Sequence, residues 1–162
     1  MQISNAMADL MNAQIGNELG ASNQYVQIAS YFDGEALSKL AKFFYAQAEE
    51  EREHAMKFVH FLMDVGAQLS IASIPATKTG IDSAEKAFEM SLGWEQEVTG
   101  QINAMMALAI QEKDYASQAF LQWFVTEQVE EVSTMESMLQ LVRKAGEKNL
   151  LMMEAYLTHS AE

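Results

Sequence analysis

Several residue types are scarce or missing in this chain, and each absence narrows the possible functions. Cysteine is absent from the 162 residues, which excludes disulfides, thiolate metal sites and a cysteine nucleophile. Proline occurs once and glycine eight times, and the remaining composition, rich in Ala, Leu, Met, Glu and Gln, favours helix over sheet. The length suits one ordinary domain. We therefore expect a single all-α domain over residues 1–162.

Positive charge is also scarce. Ten Lys and Arg stand against 23 Asp and Glu, which gives a formal net charge of −13. Nucleic acids and anionic membranes are bound through clustered Lys and Arg, so neither is an expected partner, and the acidic balance favours cations. No stretch approaches the roughly 20 apolar residues that span a bilayer. We expect a soluble, cytoplasmic protein; a plastid or another organelle is the alternative if a transit peptide has been removed.

Start and stop signals divide the chain into four long helices and a short fifth one. The predicted helices cover, in chain order, about residues 4–32, 35–65, 83–113, 115–145 and 147–157. Gly34 is expected to end the first helix in the left-handed conformation, and Gly66 the second. Asp82 is the expected N-cap of the third helix, with Glu85 at capping-box spacing, and Asp114 that of the fourth.

The connection between the second and third helices predicts the topology. It reads "AQLSIASIPATKTGID", about 16 residues that reach roughly 53 Å when extended. A helix of about 30 residues is roughly 45 Å long, so this segment can run the whole length of a bundle. The third helix is then parallel to the second. We predict a four-helix bundle with one long crossover between helices two and three, plus the short C-terminal helix.

Six polar residues interrupt apolar lines inside this predicted bundle. One helix face returns about every seven residues, and Glu18, for example, falls between Met11 and Tyr25 on such a line. The six residues are Glu18, Glu51, His54, Glu95, Gln128 and Glu131. Each lies within about three or four residues of its helix midpoint, roughly 5 Å along the axis. Aligned helices therefore bring all six to one level.

Singly, each of these residues has an ordinary interpretation as a solvated glutamate or a hydrogen-bonded core histidine. Taken together, the six residues do not fit this ordinary interpretation. No lysine or arginine interrupts these lines, and buried carboxylates repel one another. A bound cation removes that difficulty. Carboxylates with one imidazole suit iron or manganese better than a calcium cage or a thiolate zinc site. The four glutamates balance two divalent ions, and the pairs Glu51/His54 and Gln128/Glu131 are each spaced to reach one ion.

These motifs make the chain similar to the ferritins, and in particular to the haem-free bacterial type, over essentially its whole length. The stretches "GNELGASNQY", "EEEREH", "GWEQEVTGQIN" and "FLQWFVTEQVEE" resemble the segments that carry the di-iron ligands of that family. The resemblance implies that Glu51 bridges two irons. It also places Tyr25 beside the site, either as a redox or stabilising group or as a core tyrosine with a bonded hydroxyl. A third iron site on the inner surface is matched by Glu50, Glu127 and Glu130.

The resemblance implies a function as well. A hollow shell of 24 subunits would oxidise Fe(II) with dioxygen or peroxide at a di-iron centre within each subunit, a ferroxidase activity, and store ferric mineral. Haem is not expected, because Arg52 stands where haem-binding bacterioferritins carry methionine. Two alternatives stay open. One is a rubrerythrin-like di-iron peroxidase, although the chain lacks a Cys-x-x-Cys module, and the other is an inactive acidic shell or scaffold subunit.

Overall fold

A computed structural model describes residues 3–159, which form helices and connecting segments without a β-strand. The elements are α1 (Asn5–Gly34), α2 (Ser38–Asp64), α3 (Ala84–Glu112), α4 (Tyr115–Ala145), a 3₁₀ helix (Glu147–Asn149) and α5 (Leu151–His159). The predicted all-α fold is confirmed. None of these helices is both long and apolar enough to cross a membrane.

The end of α1 differs from the prediction. Gly34 remains helical, and the left-handed residue is Ala36, with φ of 59°. The helix closes through a hydrogen bond of 2.9 Å from the Leu37 amide to the Phe32 carbonyl. Glycine is the usual residue at such a position, but alanine adopts it at a cost of about 1 kcal/mol when the surrounding bonds require it. Gly66, in contrast, has φ of 72° just after α2, as predicted.

The start of α3 also differs by one residue. Ser83, not Asp82, is the N-cap, and its hydroxyl accepts from the Lys86 amide at 3.1 Å. Glu85 does not close a capping box; it pairs instead with Arg143, Oε1 to Nε at 2.7 Å. The predicted Asp114 cap of α4 is confirmed, because its Oδ1 accepts from the Ser117 amide at 3.0 Å.

The C-terminal segment caps two other helices. Glu147 accepts from the Ala84 and Glu85 amides at the start of α3, at 3.1 and 2.9 Å. Glu154 accepts from the Lys39 and Leu40 amides at the start of α2, which has no side-chain cap of its own. A carboxylate at a helix N-terminus satisfies free N–H groups and suits the helix dipole. One short segment thus holds together the starts of α2 and α3, so these helices run parallel and residues 65–83 cross the full bundle.

The crossover packs against two glycines within α1. A Cβ on Gly16 would lie 3.4 Å from the Cβ of Ala72, and a Cβ on Gly20 would lie 2.9 Å from Cδ of Pro75. The side chains of Asn12 and Gln24 fix the same crossover through hydrogen bonds to the backbone at Gln68, Ser70 and Lys78. The absence of a side chain at Gly20 therefore lets the crossover lie directly on α1, whereas position 16 has room for a methyl group.

The apolar core is divided into two clusters. One contains Tyr25 to Phe32 of α1 with the start of α2, the start of α3 and the end of α4. The other contains Met7 to Ile15 of α1 with the end of α2, the second half of α3 and the first half of α4. Between the clusters, the middle of all four helices contributes polar side chains. The fold therefore places a polar layer at mid-height.

The two glycines of α1 give a matched pair of substitutions. Gly20→Ala should destabilise the protein by about 1–3 kcal/mol, because its Cβ overlaps the Pro75 ring. Gly16→Ala meets only ordinary contact and should be neutral or stabilising by up to about 1 kcal/mol through helix propensity. Urea unfolding followed by far-ultraviolet circular dichroism measures both. Equal free-energy changes in the two variants would contradict the proposed contact.

Candidate metal centre

The six polar residues predicted to meet at one level all lie in the polar layer. Their exposed fractions are between 1% and 5%. They are Glu18, Glu51, His54, Glu95, Gln128 and Glu131. Four carboxyl groups and one imidazole are thus removed from water. Among the described residues, no lysine or arginine lies within 4.0 Å of these carboxylates.

Glu18, Glu51 and His54 form the first of two candidate metal-binding groups. One ligand atom from each lies within 4.8 Å of the others. His54 Nδ1 is 3.2 Å from Glu51 Oε2. Gln14 Nε2, itself buried, donates to Glu18 Oε1 at 2.9 Å, whereas Glu18 Oε2 is buried without a hydrogen-bond partner. This group therefore offers a free buried carboxylate oxygen beside a second carboxylate and a ring nitrogen.

Glu95, on α3, is held by hydrogen bonds from two side chains. Tyr25 donates its hydroxyl to Glu95 Oε1, and Gln128 Nε2 lies 3.3 Å from Glu95 Oε2. Gln128 also donates to the Glu95 backbone carbonyl at 3.1 Å and lies 3.3 Å from the Thr99 hydroxyl. The structure thus brings Tyr25 into direct contact with a predicted ligand, and its hydroxyl is hydrogen-bonded.

The second candidate group contains Glu50, His54, Glu127 and Glu131, again with ligand atoms within 4.8 Å of one another. His54 Nε2 is 4.0 Å from Glu127 Oε1, so the same ring faces one group with each nitrogen. Of the three residues predicted for a third iron site, Glu50 and Glu127 are partly buried in this group. Glu130 is exposed and lies outside both groups.

Burial raises the pKa values of the central carboxyl groups. Desolvation, strengthened by neighbouring carboxylates, raises the pKa of Glu131 to about 9 and holds that of Glu51 well above its ordinary range. Desolvation also raises the pKa of Glu18 to about 7, although the hydrogen bond from Gln14 acts in the opposite direction. The pKa of Glu95 is raised by burial too. Without a cation, the layer therefore retains protons near neutral pH.

Burial shifts the pKa of the His54 imidazole in the opposite direction. Burial, with a smaller contribution from the charge of Lys57, lowers the pKa of His54 to about 4. His54 is consequently neutral near pH 7 and has a lone pair available for a metal. Its ring also contacts the rings of Trp123 and Phe124, with centroids 5.3 and 5.9 Å away. These contacts hold the ring plane in place.

This donor set fits a hard or borderline cation. Carboxylate oxygens and one imidazole nitrogen converge without thiolates, which suits iron or manganese. The buried Glu18 Oε2 without a partner is the kind of atom that a bound cation would satisfy. A divalent ion would also replace the protons that the raised pKa values retain.

Sequence reasoning missed the residues that support the ligands. Gln14 is one helical turn before Glu18 and orients it, and Gln47 Nε2 donates to Glu50 Oε2 at 2.8 Å. Gln47 is 8% exposed, and its Oε1 is buried without a hydrogen-bond partner. A buried glutamine three or four residues before a candidate ligand is the pattern that would have indicated both.

A four-helix bundle with one long crossover and a carboxylate–imidazole layer at mid-height defines the ferritin-like class of metal-binding bundles. The family model described as the ferritin-like domain matches residues 8–145. The chain belongs to the ferritin family.

Individual relatives agree with this membership. The chain is 39% identical over 153 residues to ferritin BfrB of Mycobacterium tuberculosis, covering 94% of this chain and 84% of that protein. It is 36% identical over 145 residues to the bacterial non-heme ferritin of Staphylococcus aureus, covering 90% and 87%. Among solved structures, an open-pore ferritin from the hyperthermophilic archaeon Archaeoglobus fulgidus is 34% identical, with a TM-score of 0.92 over 96% of each chain.

The raised pKa values predict how the stability of the metal-free protein depends on pH. Glu131 titrates near its ordinary value of 4.5 when unfolded and at about 9 when folded. Between these values the folded protein holds a proton that the unfolded chain has lost, so the free energy of unfolding falls as pH rises. His54 is neutral in both states above about pH 7 and adds no slope there. The melting temperature of apoprotein should therefore decline from about pH 7 to about pH 9.

Two variants test the cause of this decline. Glu131→Gln imitates the protonated carboxyl group and should make the decline shallower, whereas the exposed Glu53→Gln should leave it unchanged. Thermal unfolding in the presence of a chelator measures all three proteins. Parallel declines in wild type and Glu131→Gln would show that Glu131 is not the group responsible.

Proposed function

We propose that this protein stores iron and that each chain oxidises Fe(II) to Fe(III) at an intra-subunit di-iron centre, with dioxygen or peroxide as oxidant. The observation that carries the proposal is the convergence of buried carboxylates and one imidazole at mid-bundle without a cationic partner. Membership of the ferritin family supports iron as the ion.

Each residue of the polar layer has a proposed role toward the two irons. Glu18 and His54 would bind the first ion and Glu51 would bridge both. Glu95, Gln128 and Glu131 would bind the second; this requires Glu95 to turn partly from Tyr25 and Gln128, which it contacts in the metal-free arrangement. Glu50 and Glu127, with Glu130 nearby, would bind a third ion on the way to the interior.

Electrons and protons balance in the proposed reaction. Two Fe(II) ions give one electron each, and dioxygen takes up both electrons with two protons to give hydrogen peroxide. The protein supplies geometry and charge balance rather than the electrons. Carboxyl groups that hold protons in the metal-free state, such as Glu18 and Glu131, would release them as iron binds and so offer a local proton source. Tyr25 is proposed to steady the site through its hydrogen bond to Glu95.

A closed shell of 24 subunits around a mineral cavity is the assembly that we propose. The strongly acidic composition suits the attraction of iron to such a shell. The C-terminal segment keeps α5 against the bundle end through Glu147 and Glu154, where exposed Leu151 and Met152 would meet neighbouring subunits. Light scattering should show a large, uniform particle. A stable monomer would contradict the storage function.

Oxidation is tested by adding Fe(II) to aerobic apoprotein and following ferric absorbance. Glu51→Gln should lower the initial rate at least about tenfold, because it removes the bridging carboxylate charge. Glu53→Gln changes an exposed glutamate of the same "EEEREH" stretch and should oxidise iron at the wild-type rate. Equal rates in all three proteins would contradict the proposed centre.

A further inference from the structure

Lys57 and Trp123 form a cation–π pair at the edge of the second candidate metal group. On α2, Lys57 follows His54 by three residues, and on α4, Trp123 precedes Glu127 by four. These spacings place each residue one turn beyond a member of the group, on the same helix face. Lys57 Nζ lies 4.2 Å from the centroid of the Trp123 ring, and that ring meets His54 edge-on.

The indole holds the Lys57 ammonium beside the group rather than within it. Among residues 3–158, no carboxylate oxygen lies within 4.0 Å of Lys57 Nζ, so its observed partner is the Trp123 ring. A cation over an indole face is attracted by the ring electrons. The arrangement leaves the carboxylates of Glu50 and Glu127 without an ammonium partner, although Glu50 Oε2 accepts a hydrogen bond from Gln47.

The positive charge of Lys57 nevertheless acts on two carboxylates of this group. Burial raises the pKa values of Glu50 and Glu127, and the charge of Lys57 opposes that rise at both residues. A charge that disfavours protons on these carboxylates also disfavours metal ions, and it repels an ion of charge two or three more strongly than a proton.

We infer that Lys57, held over Trp123, is a built-in cation that weakens metal binding by Glu50 and Glu127, beside the proposed di-iron ligands His54 and Glu131, so that these two carboxylates pass iron on instead of retaining it. The inference rests on the proposed function of the di-iron centre. It adds a residue that regulates the passage of metal between that centre and the neighbouring carboxylates. Lys57 is a positioning residue: it touches neither iron nor oxidant.

Titration calorimetry of the assembled apoprotein with Co(II), without oxidant, tests the inference. Lys57→Met removes the charge but retains a chain that can pack on Trp123, and it should tighten the weaker, Glu50-dependent binding about tenfold. Lys57→Arg restores a positive charge over the ring and should bind as wild type does. Lys78→Met is the matched control, because Lys78 also lies over a tryptophan, Trp94, 5.9 Å from its centroid, and no member of either group lies on that ring.

The tighter binding is assigned with Glu50→Gln. Added to Lys57→Met, it should abolish the gain while leaving the tight, Glu51-dependent binding intact. Unchanged Co(II) affinity in Lys57→Met, or the same gain in Lys57→Arg, would overturn the role of Lys57. A wild-type protein without any Glu51-dependent Co(II) binding would instead contradict the proposed di-iron centre, so the two failures are distinguishable.

Discussion

The buried repulsion among carboxyl groups at mid-bundle is the constraint on which the rest of this structure depends. Four glutamates are each at most 5% exposed, and no lysine or arginine among the described residues pairs with them. Such a layer is costly, since each carboxyl group loses hydration without gaining a counter-charge. The metal-free protein reduces the cost by retaining protons, which the raised pKa values of Glu18 and Glu131 express. A bound cation would also reduce this cost, and binding iron in this layer is part of the proposed function of the chain.

A layer of this kind needs a scaffold that holds its helices in fixed register. The two apolar clusters above and below it do so by packing phenylalanines and methionines from all four helices. The crossover adds a constraint on α1, because Gly20 lets it lie against that helix and Asn12 and Gln24 bind it by side-chain hydrogen bonds. The carboxylates of Glu147 and Glu154 fix the starts of α3 and α2. The electrostatically unfavourable layer thus lies between two packed apolar clusters.

The level of the polar layer could be predicted from the sequence because it depends on helix periodicity and length alone. Glu18, Glu51 and Glu95 lie near helix midpoints, so aligned ends suffice to bring them together. Helix ends were less predictable. Ala36 takes the left-handed position beside an available glycine, and the caps from Glu147 and Glu154 join residues more than 60 positions apart, which no local pattern indicates. The supporting glutamines Gln14 and Gln47 lie within one helical turn of the ligands they contact, so a local pattern existed for them and was overlooked.

The distribution of positive charge separates the two metal-binding groups more clearly than their ligands do. Both contain carboxylates, and both use His54, one through Nδ1 and the other through Nε2. A bound metal at one nitrogen changes what the other nitrogen can offer, because a neutral imidazole has one lone pair and one N–H. The first group is fully buried, whereas the second is partly exposed and adjoins Lys57 through Glu50 and Glu127. Under the proposed function, the buried group is therefore suited to holding metal during oxidation, and Glu50 and Glu127 of the partly exposed group are suited to releasing it.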